Sequence, residues 1–224
     1  MCGVIGALIQ SPSSKDFETL KRVFHESKVR GMHATGVAFI KNESVHIIKK
    51  PVPADQFPFD FPSYVNEDGN LYLIGHCRYS TSDLEYNQPL GNENHAIVHN
   101  GVITQELPEN WKAKYGYECE TKNDSELVER SDNPLVEFNH MSMAVCDLTS
   151  STKELKVYRN GKRPLYLTTM TNGSIITSTS DIPKRAGLNL PTMEIPLNTY
   201  VTFDSELTMK LEALNIEAVD YQNI

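Results

Sequence analysis

The sequence is short of cysteine, of basic charge and of long apolar runs. Its four cysteines, Cys2, Cys77, Cys119 and Cys146, contain no CxxC pair, so neither a disulfide framework nor a metal site is expected, and a reducing, cytoplasmic setting fits best. Lysine and arginine number 21 against 29 acidic residues, a formal charge of −8. An acidic surface gains nothing from nucleic acid or anionic lipid, which argues against either as the main partner. No apolar run approaches the roughly 20 residues of a membrane span. The opening MCGVIGALIQ lacks a basic leader and a cleavage site, so a buried strand is expected there and not a signal peptide. Gly-rich phosphate loops, repeats, low-complexity tracts and clear linkers are missing as well. What is present describes a globule: 224 residues, 39% hydrophobic, enough for one domain over residues 1–224 with a sizeable core.

Periodicity assigns the elements. After the first strand, Ser13 or Ser14 can cap a helix through Phe17, Leu20, Val23 and Phe24 that ends near Arg30-Gly31. Alternating apolar residues predict strands at 36–40 and 44–48 joined across Lys41-Asn42-Glu43, and further strands at 71–76 and 96–99. Helices are expected around 106–115 and 125–131. From Met141 onward the pattern is nearly all β, with strands at 141–149, 154–159, 164–170, 174–179, 199–203 and 208–211. Asn172-Gly173 is a two-residue hairpin signal. The stretch 51–69, rich in proline, aromatics and acids, has no clean period and is expected to be irregular with one helical turn, as a lid or a family-variable insertion. Two early helical regions among many strands imply an α+β fold of mainly antiparallel sheets.

Five segments carry chemistry. Removal of Met1 would make Cys2 the N-terminus, placing a thiol and an α-amine, both titrating near neutrality, on one residue; a small buried core residue is the plain alternative. Arg78 ends the strand Gly75-His76-Cys77-Arg78, where a guanidinium can hold a carboxylate through two parallel bonds or simply pair with a surface acid. Asn100-Gly101 breaks an apolar strand, as a tight turn, an oxyanion hole or both. Asp124 precedes a helix, as an N-cap or as a partner for an ammonium group. Arg30-Gly31 by itself marks a turn.

In this order, MCGVIG, GHCRYST (75–81), NQPL (87–90), HNGVI (99–103), NDSE (123–126) and RNGKRPL (159–165) resemble the class II glutamine amidotransferase domain, an N-terminal-nucleophile hydrolase. Glutaminase domains of amidophosphoribosyltransferase and glucosamine-6-phosphate synthase are of this kind. The resemblance spans about residues 2–210, leaving an acidic tail at 212–224. It implies a four-layer αββα sandwich with the nucleophile at the end of a central strand. It further implies that Cys2 attacks the side-chain amide of L-glutamine, that Asn100 and Gly101 stabilise the oxyanion, that Arg78 holds the α-carboxylate and that Asp124 holds the α-ammonium. Thr81 and the Tyr79 backbone would shape the pocket, and Arg30 and Gly31 match the family's turn near the nucleophile. No cofactor and no metal are implied.

The chain departs from the family pattern in three places. His33-Ala34 stand where Asp and Ser are common, Thr81-Ser82-Asp83 lacks the usual glycine, and the segment between Asp124 and Met141 is short. His33 and His76 read as structural histidines, because the Cys2 amine already supplies a base. With no synthetase pattern following, the expected role is a glutaminase that passes ammonia to a separate synthetase partner, with 51–69 and the acidic tail as docking surfaces. Two alternatives stay open: hydrolysis of another amide, and a non-catalytic partner-binding module that keeps the fold.

Overall fold

The computed structural model describes residues 1–80, 86–161 and 163–217. Thirteen strands and six α-helices lie among these residues. The first sheet has seven strands in the order β11-β9-β10-β1-β4-β2-β3: β1 (Gly3–Gln10), β2 (Ala34–Lys41), β3 (Ser44–Lys50), β4 (Asn70–Arg78), β9 (Tyr166–Met170), β10 (Gly173–Thr177) and β11 (Thr192–Glu194). The second has six, β13-β12-β8-β7-β6-β5: β5 (Leu90–Gly91), β6 (His95–Val102), β7 (Ser142–Thr149), β8 (Glu154–Arg159), β12 (Thr199–Phe203) and β13 (Met209–Ala213). Every neighbouring pair is antiparallel.

The central strands are apolar on both faces, and the alternation of side chains sorts them into layers. In β1, Val4 and Leu8 join Tyr72, Ile74, Val98, Ala144, Cys146 and Val157 between the sheets. Ile5, Ala7 and Ile9 of the same strand face outward onto Leu20, Val23 and Phe24 of helix α1 (Ser14–Ser27). The outer face of the second sheet is covered by Trp111 of α3 (Trp111–Tyr115), Leu127 and Val128 of α4 (Ser125–Arg130) and Leu135 of α5 (Pro134–Glu137). The result is the expected αββα stack. Each fully buried Leu or Ile contributes roughly 2–3 kcal/mol of transfer free energy, so the inter-sheet layer and the layer beneath α1 both stabilise the fold substantially.

Local chemistry sets the boundaries. Ser13 caps α1 in a reciprocal box, its hydroxyl accepting from the Asp16 N–H while the Asp16 carboxylate accepts the Ser13 N–H at 2.7 Å. Asn42 and Glu43 turn the β2–β3 hairpin with φ of 50° and 59°, the left-handed pair that matches strand twist.

Three expectations change on contact with the structure. The β9–β10 turn is Thr171-Asn172, and Gly173 is already in the strand, paired with Met170. The segment 51–69 forms one helical turn, α2 (Phe61–Tyr64), but it is no lid over Cys2. Ala54, Phe57, Phe61 and Tyr64 are buried against the outer face of the first sheet, with the Phe59 ring centroid 4.6 Å from that of Phe24 at a tilt of 50°, because its aromatics find more apolar surface there than at a polar cleft. Glu212 and Ala213 belong to β13, paired with β12, so the strand runs into what had been read as tail; residues 218–224 lie outside the described residues. The remaining short helix, α6 (Asp181–Arg185), packs beside α1.

Candidate active site

The chemistry-bearing residues converge where the start of β1, the end of β4 and the end of β6 meet. Gly3 pairs with Cys77, which sets Cys2 and Arg78 side by side at the rim of the first sheet. Across the sandwich, Asn100 and Gly101 occupy the last turns of β6, paired with Ala144 and Met143. The sheets are joined here as the Cys2 backbone N–H donates to Asn100 Oδ1 at 3.1 Å. Asn100 is buried, and its Nδ2 has no partner. A buried amide donor left open is costly unless something fills it. The Cys2 thiol is half-buried, with Sγ 3.9 Å from the Tyr79 carbonyl oxygen.

Gly101 has φ of 156°, and a Cβ there would lie 1.9 Å from the Ser142 carbonyl oxygen. Only glycine fits, so the Asn-Gly pair reflects a backbone constraint as well as a turn. Gly31 is equally restricted: a Cβ would fall 2.2 Å from the Arg78 carbonyl carbon. The loop before β2 is thereby pressed against the backbone that carries Arg78. His33 completes this contact, donating its N–H to the Arg78 carbonyl at 3.0 Å and accepting from the Ser80 N–H at Nδ1, also at 3.0 Å. The imidazole thus supplies an acceptor of the kind a carboxylate would offer at that position.

A cavity of about 570 Å³ opens over this junction, bordered by Cys2, His76, Arg78, Gly101, Glu106 and Asp124 among others. Arg78 is aimed by Asn87, whose Oδ1 accepts from Nη1 at 2.7 Å. Asp124 stands at the head of α4 without capping it. Its Oδ2 instead accepts the N–H groups of Ile103 and Thr104 at 2.6 and 3.2 Å, tying the loop after β6 to the cavity and leaving Oδ1 for another donor. Asn123 takes the helix-start role, its Oδ1 accepting the Ser125 N–H at 3.0 Å. Tyr79 borders the cavity and is exposed. Arg30 and Gly31 lie outside the lining; Arg30 Nη2 is 3.8 Å from the Met1 sulfur and its Nε is buried without a partner. Burial, above all, lowers the Arg30 pKa, while the neighbouring Cys2 raises it and Arg163 lowers it further. Thr81 lies outside the described residues.

Three residues absent from the sequence-based site support it from behind. Gln88 is buried and brackets His99, accepting its N–H at Oε1 (2.5 Å) and donating Nε2 to its carbonyl and to Ser125 Oγ, both at 3.1 Å. The His99 ring reaches Ser125 Oγ at 2.8 Å and the Ser142 carbonyl at 3.2 Å. A carbonyl only accepts, so Nε2 of His99 carries the proton and Nδ1 receives the Ser125 hydroxyl. Burial lowers the pKa of this ring. The NQPL and NDSE segments contain Gln88 and Ser125, but only the fold shows that they meet at His99.

No protein-family model matches the chain, and no curated protein sequence matches it. Solved structures do. Glutamine phosphoribosylpyrophosphate amidotransferase from B. subtilis, complexed with ADP and GMP, superposes with a TM-score of 0.71 at 21% identity, covering 97% of this chain and 50% of that one. A structure described as the allosteric regulatory enzyme of purine biosynthesis superposes with a TM-score of 0.70 at 21% identity, covering 95% and 49%. The chain therefore spans about half the length of these neighbours. It shares their fold, an α+β sandwich of two antiparallel sheets. Among the described residues, no helix is long and apolar enough to cross a membrane.

Proposed function

We propose that the chain hydrolyses the side-chain amide of L-glutamine, with Cys2 as nucleophile once Met1 is removed. The observation that carries this reading is the divided amide of Asn100. Its Oδ1 holds the nitrogen of Cys2, and its Nδ2 is an open buried donor beside Gly101. One side chain thus faces both the general base and the site where negative charge would develop.

The steps follow from these positions. The Cys2 α-amine, kept in place by Asn100 Oδ1, takes the thiol proton as sulfur attacks the carboxamide carbon. The tetrahedral oxyanion is received by Asn100 Nδ2 and the Gly101 N–H, donors worth about 3–4 kcal/mol each to such a transition state. Collapse breaks the C–N bond, and the ammonium form of the amine returns the proton to the departing ammonia. Water then cleaves the γ-glutamyl thioester to glutamate. Arg78 takes the α-carboxylate, and the free Oδ1 of Asp124 takes the α-ammonium; a pocket with both is suited to a free amino acid and ill suited to a simple acyl amide. Tyr79 shapes the entry, while Arg30 and Gly31 brace the nucleophile's surroundings.

The ammonia passes to a separate synthetase-type acceptor. Val29, Met32 and Tyr79 are exposed apolar residues close in sequence to Arg30 and Arg78, surface of the kind that suits docking beside the cavity. All four cysteines are free thiols, which suits a reducing cytoplasm.

The test is intact-mass measurement after treatment with 6-diazo-5-oxo-norleucine, alongside an assay for glutamate release. The expected result is loss of Met1, a single adduct on Cys2 and release that Cys2→Ala abolishes. Retained Met1 with no adduct and no release would leave the partner-binding alternative; release from a simple acyl amide in preference to glutamine would favour the other hydrolase reading.

A further inference from the structure

His76, set aside above as structural, is the residue whose environment the mechanism leaves unexplained. It lies on β4 two residues before Arg78, on the same face, and is 1% exposed. Its ring borders the cavity shared with Cys2 and Arg78. One ring nitrogen interacts with the His99 backbone in a way that favours the protonated ring, while Nε2 is buried without a partner among the described residues. The interacting nitrogen is therefore Nδ1. Only an acceptor favours the protonated ring, so the partner is the His99 carbonyl, which also accepts from Gln88 Nε2, and a carbonyl fixes the proton on Nδ1. Nε2 is then a lone pair with no hydrogen. Burial, followed by the charges of Arg78 and His99, holds the ring pKa down at about 3, so the ring stays neutral throughout the physiological range.

A buried acceptor without a donor, at the wall of a cavity, marks a place where a ligand N–H belongs. The other groups at the cavity divide the substrate among themselves. Asn100 and Gly101 offer donors to the carbonyl oxygen, Arg78 offers donors to the carboxylate, and Asp124 offers an acceptor at the rim. The carboxamide –NH₂ is the remaining donor, and no acceptor in that set serves it. The geometry points to His76 as a substrate-binding residue whose Nε2 lone pair accepts an N–H of the scissile carboxamide. This inference rests on the glutamine-hydrolysis reading and deepens it: His76 turns the carboxamide so that its oxygen meets the oxyanion donors, and it makes the site selective for amides over esters and acids. A site built around a substrate N–H discriminates strongly against an analogue without one, because the buried partner is left unsatisfied.

Two substitutions separate this role from a merely structural one. His76→Asn keeps a side-chain N–H close to the Nδ1 position and removes the Nε2 acceptor, whereas His76→Gln keeps an acceptor near Nε2 and gives up the bond to His99. Hydrolysis of glutamine and of glutamate γ-methyl ester is compared in each variant. The expected result for His76→Asn is a fall in kcat/KM for glutamine of about tenfold or more, with the ester within about twofold of the parent and His76→Gln closer to the parent on both substrates. Equal losses on amide and ester, or damage by His76→Gln with His76→Asn unaffected, would overturn the assignment and leave His76 as a brace for β6. Should either variant unfold, the nitrogen-15 histidine spectrum of Cys2→Ala protein decides. The His76 Nε2 resonance should move on adding glutamine and stay in place on adding the ester, and a resonance indifferent to both removes the proposal. Failure of the underlying reading shows separately, since an unsubstituted protein without glutaminase activity would reveal it before any variant is made.

Discussion

Gly101 shows how much of the site is decided by single residues. Its φ of 156° and the 1.9 Å approach to the Ser142 oxygen leave a methyl group nowhere to go. Gly101→Ala is expected to lower stability by about 2–4 kcal/mol and to abolish glutamate release, because the backbone donor moves with the strand end. Urea denaturation checks the first part, and an unchanged midpoint would contradict the placement. At this scale the sequence was informative where function and backbone constraint coincide. Asn100-Gly101, Arg78 and Asp124 stand out because each sits at a break in an apolar pattern. Gln88, Ser125 and His76 do not, because their side-chain partners are 11 to 37 positions away, as with Gln88 and His99, 11 apart, and Gln88 and Ser125, 37 apart. Nothing in a local window marks a histidine whose second nitrogen is left without a partner. The N-cap reading of Asp124 failed for the same reason: the competing acceptor role toward Ile103 and Thr104 comes from the loop after β6, some 20 positions away.

Among elements, β6, β7 and α4 are tied together by a charged cluster. His95 on β6 bonds Asp147 of β7 at 2.9 Å and faces Glu129 of α4 at 3.7 Å. Burial alone would lower its pKa, but hydrogen bonds and charge from Asp147 and Glu129 outweigh it and raise the value to about 9. A folded-state pKa above the unfolded value of about 6.5 means that the protonated clamp stabilises fully below pH 6.5 and is lost as pH rises through about 9. The effect is on the order of 3 kcal/mol. Denaturant midpoints should therefore fall between pH 7 and pH 9.5, and His95→Gln should flatten that dependence; a variant with the same slope would assign it elsewhere. Long elements were legible because alternation and helical period survive over eight or more residues, as in β1, β6, β7 and α1. The two-residue β5 and three-residue β11 are too short for any period. The burial of 51–69 depended on which apolar face lay uncovered, which is a property of the assembled sheets.

At the scale of the molecule, two of the four cysteines report on the sandwich itself. Cys77 and Cys146 are wholly buried, and burial pushes the first thiol up to about 12 and the second well above its ordinary value. Cys119, partly buried, is pushed up to about 11. A disulfide-exchange reagent should therefore label Cys2 quickly in native protein, Cys119 slowly, and Cys77 and Cys146 only as fast as the chain unfolds. Prompt labelling of Cys146 in buffer would mean that the two sheets do not enclose a closed layer, and prompt labelling of Cys77 that α1 does not seal the outer face of the first sheet. That layer also bears on the bond between Cys2 and Asn100. The two residues belong to opposite sheets, held apart by packed side chains, and one amide group spans the gap. A slide of one sheet over the other, by even half an ångström, would displace the proposed nucleophile, amine and oxyanion donor relative to one another in a single movement. On the proposed reading, turnover is a strain gauge for the interior: repacking far from the cavity would detune the chemistry while the fold, by every bulk measure, stays intact.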